Sequence, residues 1–229
     1  MPENPSSTLH TAEIVHWAAL CVMAVVYTTR IAWLLRFKKT KDRSAPGGGG
    51  RTSALAGGRR SLLNVAMPWE MESTRKSFFF YVTFVLFHLG VVAGIAMAFL
   101  STLYRPIVTH PLLGRASGAL MALACLIGVG RMIRRLTVPH VKLISTPDDY
   151  FSLFMLTCWF GLGAATQAHL LGMAGFESET LLVAYLYLTS FFLLYVPFSK
   201  ISHYLYYPFT RLWIGRALGH RGSYPITRG

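Results

Sequence analysis

The stretch FFFYVTFVLFHLGVVAGIAMAFLSTL, Phe78 to Leu103, carries no Lys, Arg, Asp or Glu, and a single histidine, His88, interrupts it. An apolar run of this length satisfies the requirement of a helix crossing a bilayer core, roughly 20 residues at about 1.5 Å rise each. Four further blocks read the same way on either side of it: Ile14 to Leu35, Ala116 to Met132, Tyr150 to Met173, and Leu181 to about Tyr207. The third is the shortest and the fifth the longest; tilt and snorkelling absorb such mismatch. The first block follows Met1-Pro2-Glu3-Asn4 and has its basic cluster after the apolar run, with no small-residue cleavage site. It therefore reads as a permanent helix and not as a signal peptide. Composition agrees, since 53% of the chain is hydrophobic and only 14% charged, where soluble domains carry about a quarter charged residues.

The net charge of +13 would point to nucleic acid in a soluble chain. Its distribution gives topology instead, and no nucleic-acid role is expected. Arg36, Lys38, Lys39, Lys41, Arg43, Arg51, Arg59, Arg60, Arg75 and Lys76 follow the first block. Arg131, Arg134, Arg135 and Lys142 follow the third, and Lys200, Arg211, Arg216, Arg221 and Arg228 close the chain. The alternate connections hold only Arg105 and Arg115. Positive loops stay in the cytoplasm. The expected fold is thus an all-α membrane protein: a five-transmembrane-helix bundle in the inner (cytoplasmic) membrane, N-terminus outside and C-terminus cytoplasmic. Residues 1–229 read as a single membrane domain, with helices at about 14–35, 78–103, 116–132, 150–173 and 181–207. Residues 36–76, which contain Ala45-Pro46-Gly47-Gly48-Gly49-Gly50 but no following GK[ST], read as a flexible basic cytoplasmic loop. No internal repeat supports an inverted-repeat transporter.

Ionisable residues inside a membrane are expensive, which makes them functional candidates. His88 lies in the second helix, His203 late in the fifth, His169 near the outer end of the fourth and His16 near the outer end of the first. His10, His110, His140 and His220 read as solvated. The plain reading of His88 is a hydrogen bond to a neighbouring helix. The functional one is axial ligation of a b-type heme by neutral imidazole, for which Gly90 and Gly94 leave a groove that fits a flat macrocycle or another helix. His203 falls in the same inner half of the bilayer as His88. Cys21, Cys125 and Cys158 lack metal-ligand spacing and read as small apolar residues.

Leu86-Phe87-His88-Leu89-Gly90 and Tyr195-Val196-Pro197-Phe198-Ser199-Lys200-Ile201-Ser202-His203 resemble the second-helix and final-helix motifs of the respiratory nitrate reductase gamma-subunit family of membrane cytochromes b. Ser145-Thr146-Pro147-Asp148-Asp149-Tyr150-Phe151 is similar to the start of the fourth helix in related membrane subunits of sulfite-reductase-associated and heterodisulfide-reductase-like complexes. The resemblance spans Ser77 to Tyr207, and PFSK-x-x-H is its most specific part. It implies heme b held by His88 and His203 on the cytoplasmic side, exchange with quinone or quinol in the membrane, and a cytoplasmic iron–sulfur subunit as partner. At the positions where two-heme members carry further histidines this chain has Ala98 and Tyr185, so one heme is expected. A second heme on His16 and His169 is the alternative, and Tyr185, Gln167, His169 and His16 are alternatively candidates to face a quinone. Snorkelling is the first reading of Lys200 and Arg131, and pairing with heme propionates is the functional one. The resulting expectation is an electron-transfer subunit whose substrate chemistry lies in another chain. A heme-free membrane anchor or small transporter subunit is its competitor.

Overall fold

The computed structural model describes residues 7–37, 43–47, 52–69 and 72–224. These residues contain helices and turns and no strand. In chain order the helices are α1 (Ser7–Arg36), α2 (Ala54–Leu63), α3 (Glu72–Lys76), α4 (Phe78–Leu103), α5 (Arg105–Val108), α6 (Pro111–Thr137), α7 (Pro139–Ile144), α8 (Pro147–Leu170), α9 (Thr180–Tyr195) and α10 (His203–His220). Five stretches are long and apolar enough to cross a membrane: Ser7–Arg36, Phe78–Leu103, Pro111–Thr137, Pro147–Leu170 and Thr180–Phe198. The protein is a multi-pass membrane protein.

The spans start and stop for local reasons. Pro111 and Pro147 occupy first turns, where a missing N–H costs nothing. At the start of α8 the Asp149 carboxylate accepts from the Thr146 N–H (2.8 Å) and hydroxyl (2.9 Å), tying the helix to its cap. The first span runs a full two turns earlier than the apolar block from Ile14, because Ser7 to Glu13 continues the helix with Leu9 and Ala12 already buried.

Two expectations are corrected. The fifth span does not continue to Tyr207. α9 ends at Tyr195, the chain passes through two 3₁₀ turns (Val196–Phe198 and Lys200–Ser202), and α10 begins afresh at His203. Pro197 supplies no N–H, and Ser199 caps the new turn by accepting from the Ile201 N–H at 3.2 Å. Secondly, the connection expected to be flexible holds α2, a 3₁₀ turn at Asn64–Ala66, and α3. Ser53 caps α2, accepting from the Ala56 N–H at 3.1 Å. Residues 38–42, 48–51 and 70–71 of that connection lie outside the described residues, as do Met1 to Ser6 and Pro225 to Gly229.

The chain also divides into two compact units where one domain was expected. The first comprises Met1–Val25 and Val82–Tyr195. In it Leu9 and Ala12 of α1 pack on Leu182, Val183 and Leu186 of α9, with Leu170 beside them. Arg105 pairs with Glu13 at 3.0 Å. Phe87 meets Phe160 edge to face, centroids 5.1 Å apart. The second unit comprises Val26–Tyr81 and Val196–Gly229. Its centre is the contact of α2 with α10, where a Cβ on Gly57 would fall 2.2 Å from the Gly215 carbonyl oxygen. Only glycine allows two backbones that close. Around this seam Tyr207 donates to the Leu62 carbonyl (3.3 Å), Arg211 to that of Ser61 (3.3 Å), and Thr52 to that of Gly219 (2.9 Å).

Candidate functional site

His88 sits about two fifths of the way along α4, half-buried, in the first unit. Its Nδ1 lies 2.8 Å from the Phe84 carbonyl oxygen one turn back. A carbonyl only accepts, so the neutral ring donates there and carries its lone pair on Nε2. The ring lies against Phe84, centroids 4.2 Å apart, and Phe87, 6.0 Å. Over the Phe87 ring stands the Arg131 guanidinium, 4.6 Å from its centroid. Arg131 thus brings its positive charge to the residue beside His88 by stacking.

The groove expected at Gly90 and Gly94 is already filled. A Cβ on Gly90 would fall 2.3 Å from that of Ala124 in α6, and one on Gly94 would fall 2.5 Å from the Trp159 ring in α8. Both glycines serve helix–helix contact. The other two helix positions singled out by the resemblance are closed as well. Ala98 is buried, and Tyr185 is fully buried with its hydroxyl donating to the Gly94 carbonyl at 2.7 Å. Trp159 stacks on Tyr185, centroids 6.0 Å apart and planes 10° from parallel, and donates to the Thr189 hydroxyl at 2.9 Å. These side chains occupy the space in which an outer macrocycle would have to lie. The residues present do not fit a second heme at that position.

Gln167, His169 and His16, the other members of the expected quinone or second-heme set, have separate surroundings. Gln167 is buried and donates to the Val108 carbonyl, while its Oε1 has no partner among the described residues. His169 Nδ1 bonds the Phe176 carbonyl at 2.8 Å, in the turn that follows α8. His16 is fully buried on α1 with Nδ1 3.5 Å from the Ser190 hydroxyl, and its Nε2 is also without a partner among the described residues. With Tyr185 bound to α4, the four polar groups share no hydrogen-bond partner.

The second unit holds the other candidate histidine. His203 is exposed on the first residue of α10, and its Nδ1 lies 3.1 Å from the Lys200 carbonyl oxygen. Its ring is therefore held like that of His88, donating at Nδ1 to backbone. Lys200 is exposed in the 3₁₀ turn before it. The break that creates this position is supported by Arg30 of α1, which donates to the Pro197 carbonyl and to the Tyr206 hydroxyl (3.5 Å) and lies 5.1 Å from the Phe198 centroid. Beside it the Tyr27 and Tyr204 hydroxyls bond each other, and burial holds the Tyr204 phenol above its ordinary value. Arg30 is the one charge inside the apolar block Ile14 to Leu35, and a charge so placed is a signal that it binds something in the protein. The three cysteines are free thiols, and no group of three or more His, Cys, Asp or Glu is placed to hold a metal ion among the described residues.

No family profile matches the chain, and no solved structure matches it. It is similar to a protein of Nitratidesulfovibrio vulgaris strain Hildenborough, described only as "Protein", with 25% identity over 217 residues that cover 93% of this chain and 91% of that one.

Proposed function

We propose that this chain is a heme b-containing electron-transfer subunit that links the membrane quinone pool to a cytoplasmic iron–sulfur partner in a respiratory oxidoreductase complex. His88 and His203 are the axial ligands in this reading, and substrate chemistry belongs to another subunit. One observation carries it: both rings donate at Nδ1 to a backbone carbonyl, at 2.8 and 3.1 Å. That bond fixes the tautomer whose Nε2 can bind iron, the arrangement metal-ligating histidines commonly have. Bound heme would supply one-electron transfer. The chain's own residues orient the two imidazoles and set positive charge beside them through Arg131 and Lys200, where propionates would be received. The reading takes one heme per chain, because Tyr185, Ala98 and Trp159 fill the outer position. Tyr185 and Gln167 are then packing residues, and His16 and His169 remain outside the heme.

The test is the reduced spectrum of the purified full chain. A low-spin α-band with one heme by pyridine hemochrome, abolished by His88→Ala and by His203→Ala in protein that still inserts, is expected. An unchanged band in either variant removes that histidine. A chain without any heme band leaves the heme-free anchor.

The inner membrane, the orientation and the partner belong to the same proposal. The basic connections put the N-terminus outside, so a cysteine replacing Lys142 should be labelled only from the cytoplasm and one replacing Glu177 only from outside. The reverse pattern would overturn the cytoplasmic placement of the partner. The basic segments Arg131–Lys142 and Lys200–Arg216 would steer an acidic iron–sulfur protein, with association weakening as salt rises.

A further inference from the structure

The centre of the seam between α2 and α10 is made of glycines, with Leu212 and the Arg216 stem lying against Gly58, and other large side chains of both helices stay outside the pair. Gly57, Gly215 and Gly219 meet through backbone, with Ser61 beside them. Leu55 and Leu63 of α2 are 59% and 52% exposed, and Trp213 of α10 is 57% exposed. Arg59, Arg60 and Arg216 are exposed on the same two helices, and Arg221 is exposed at the end of α10. Neither helix contains Asp or Glu. The pair is also rooted at the membrane. α10 begins five residues after Phe198, the last residue of the fifth span. Its first turn reaches Tyr27 and Arg30 of the first span. α2 follows the first crossing and α10 the fifth, so both lie on the same face of the bilayer.

We infer that the α2–α10 pair lies on the anionic headgroup surface of the bilayer that holds the spans, with Arg59, Arg60, Arg216 and Arg221 taking phospholipid phosphates and Leu55, Leu63 and Trp213 entering the headgroup boundary. Large apolar side chains set between exposed arginines match the interfacial helix, whose long cations snorkel to phosphate while aliphatic and indole groups sink below it. A protein-docking patch differs, because its centre is depleted of charge. The inference uses no histidine and no redox chemistry, and it shares with the proposed function only Arg216, the last residue of the basic segment set out for the partner.

The test uses the full chain in nanodiscs of phosphatidylcholine alone and of phosphatidylcholine with phosphatidylglycerol. Backbone amide exchange is read in segments 54–63 and 203–220, with segments 111–137 and 147–170 as internal references. Each arginine near an anionic surface is worth roughly a fivefold factor, so exchange in the pair should slow at least about tenfold with phosphatidylglycerol. High salt should reverse the slowing. The Arg59→Gln/Arg60→Gln/Arg216→Gln/Arg221→Gln variant should lose the lipid dependence with unchanged reference segments. If the variant misfolds, the salt reversal on the unmodified chain decides. Equal exchange in both lipids overturns the inference, as does protection that appears only when an acidic soluble protein is added.

Discussion

The two units close their helices by opposite means. In the first, aromatic side chains fill the space: Trp159 lies flat on Tyr185, whose hydroxyl ends on the Gly94 carbonyl. In the second, side chains are absent from the centre of the contact, where the backbones of α2 and α10 meet at Gly57 and Gly215, and Tyr207, Arg211 and Leu212 lie around it. The first solution buries large groups and leaves no room for anything else. The second leaves its large groups outside, available to whatever surrounds the pair. A candidate redox position surrounded by the first kind of packing is closed, and one beside the second kind stays reachable, as exposed His203 is.

Substitutions can break this contrast. Trp159→Ala should be the most damaging, lowering stability by about 3–5 kcal/mol, because the cavity beside Gly94 and Tyr185 cannot collapse fully. Thermal unfolding in detergent reads it, and a loss under 1 kcal/mol would mean that the aromatic stack does not support the first unit. In the second unit Gly57→Leu should cost about 3 kcal/mol, the upper end for overpacking, since the new Cβ meets a carbonyl oxygen rather than a movable side chain. Its readout is fast trypsin cleavage at Arg59 and Arg60 in nanodiscs while the spans stay resistant. Unchanged cleavage would show that α2 and α10 do not touch through backbone. Tyr185→Phe keeps the ring and removes only the hydroxyl, so about 1 kcal/mol should go. Gly130→Ala is the control in the opposite direction. Nothing lies within 4 Å of its Cβ position, so the smaller unfolded-state freedom of alanine should raise stability by about 0.5 kcal/mol. A loss there would reveal a contact at Gly130.

Much of this was legible in the residues. The uncharged run at Phe78–Leu103 and its four companions announce the spans, since bilayer thickness imposes a length that composition reveals directly. The Thr146–Asp149 cap could be read from spacing alone. The break before His203 was harder to see, because Pro197 stands in an otherwise continuous apolar run and proline is tolerated in spanning helices when a neighbour satisfies the freed carbonyl. Here the helix breaks instead, and the Pro197 carbonyl that the break leaves open is taken by Arg30, far away in sequence. The α2 helix was hidden for a related reason: a glycine pair in a basic, glycine-rich connection reads as a linker until the partner helix with its own glycines is brought alongside. For the candidate site, the residue types at 88 and 203 could be read, while the closure of the region around Ala98 depends on Trp159, a residue that nothing in its own neighbourhood singles out.

The restart of the helix at His203 changes which part of the molecule governs that ring. Between Tyr195 and His203 the chain runs through two separate 3₁₀ turns, so the hydrogen-bond ladder of α9 is not carried across. The bearing of the imidazole is therefore inherited from the axis of α10, which is set by its glycine contact with α2. Within the second unit, a shift of α10 along its glycine contact with α2 would therefore carry His203 with it.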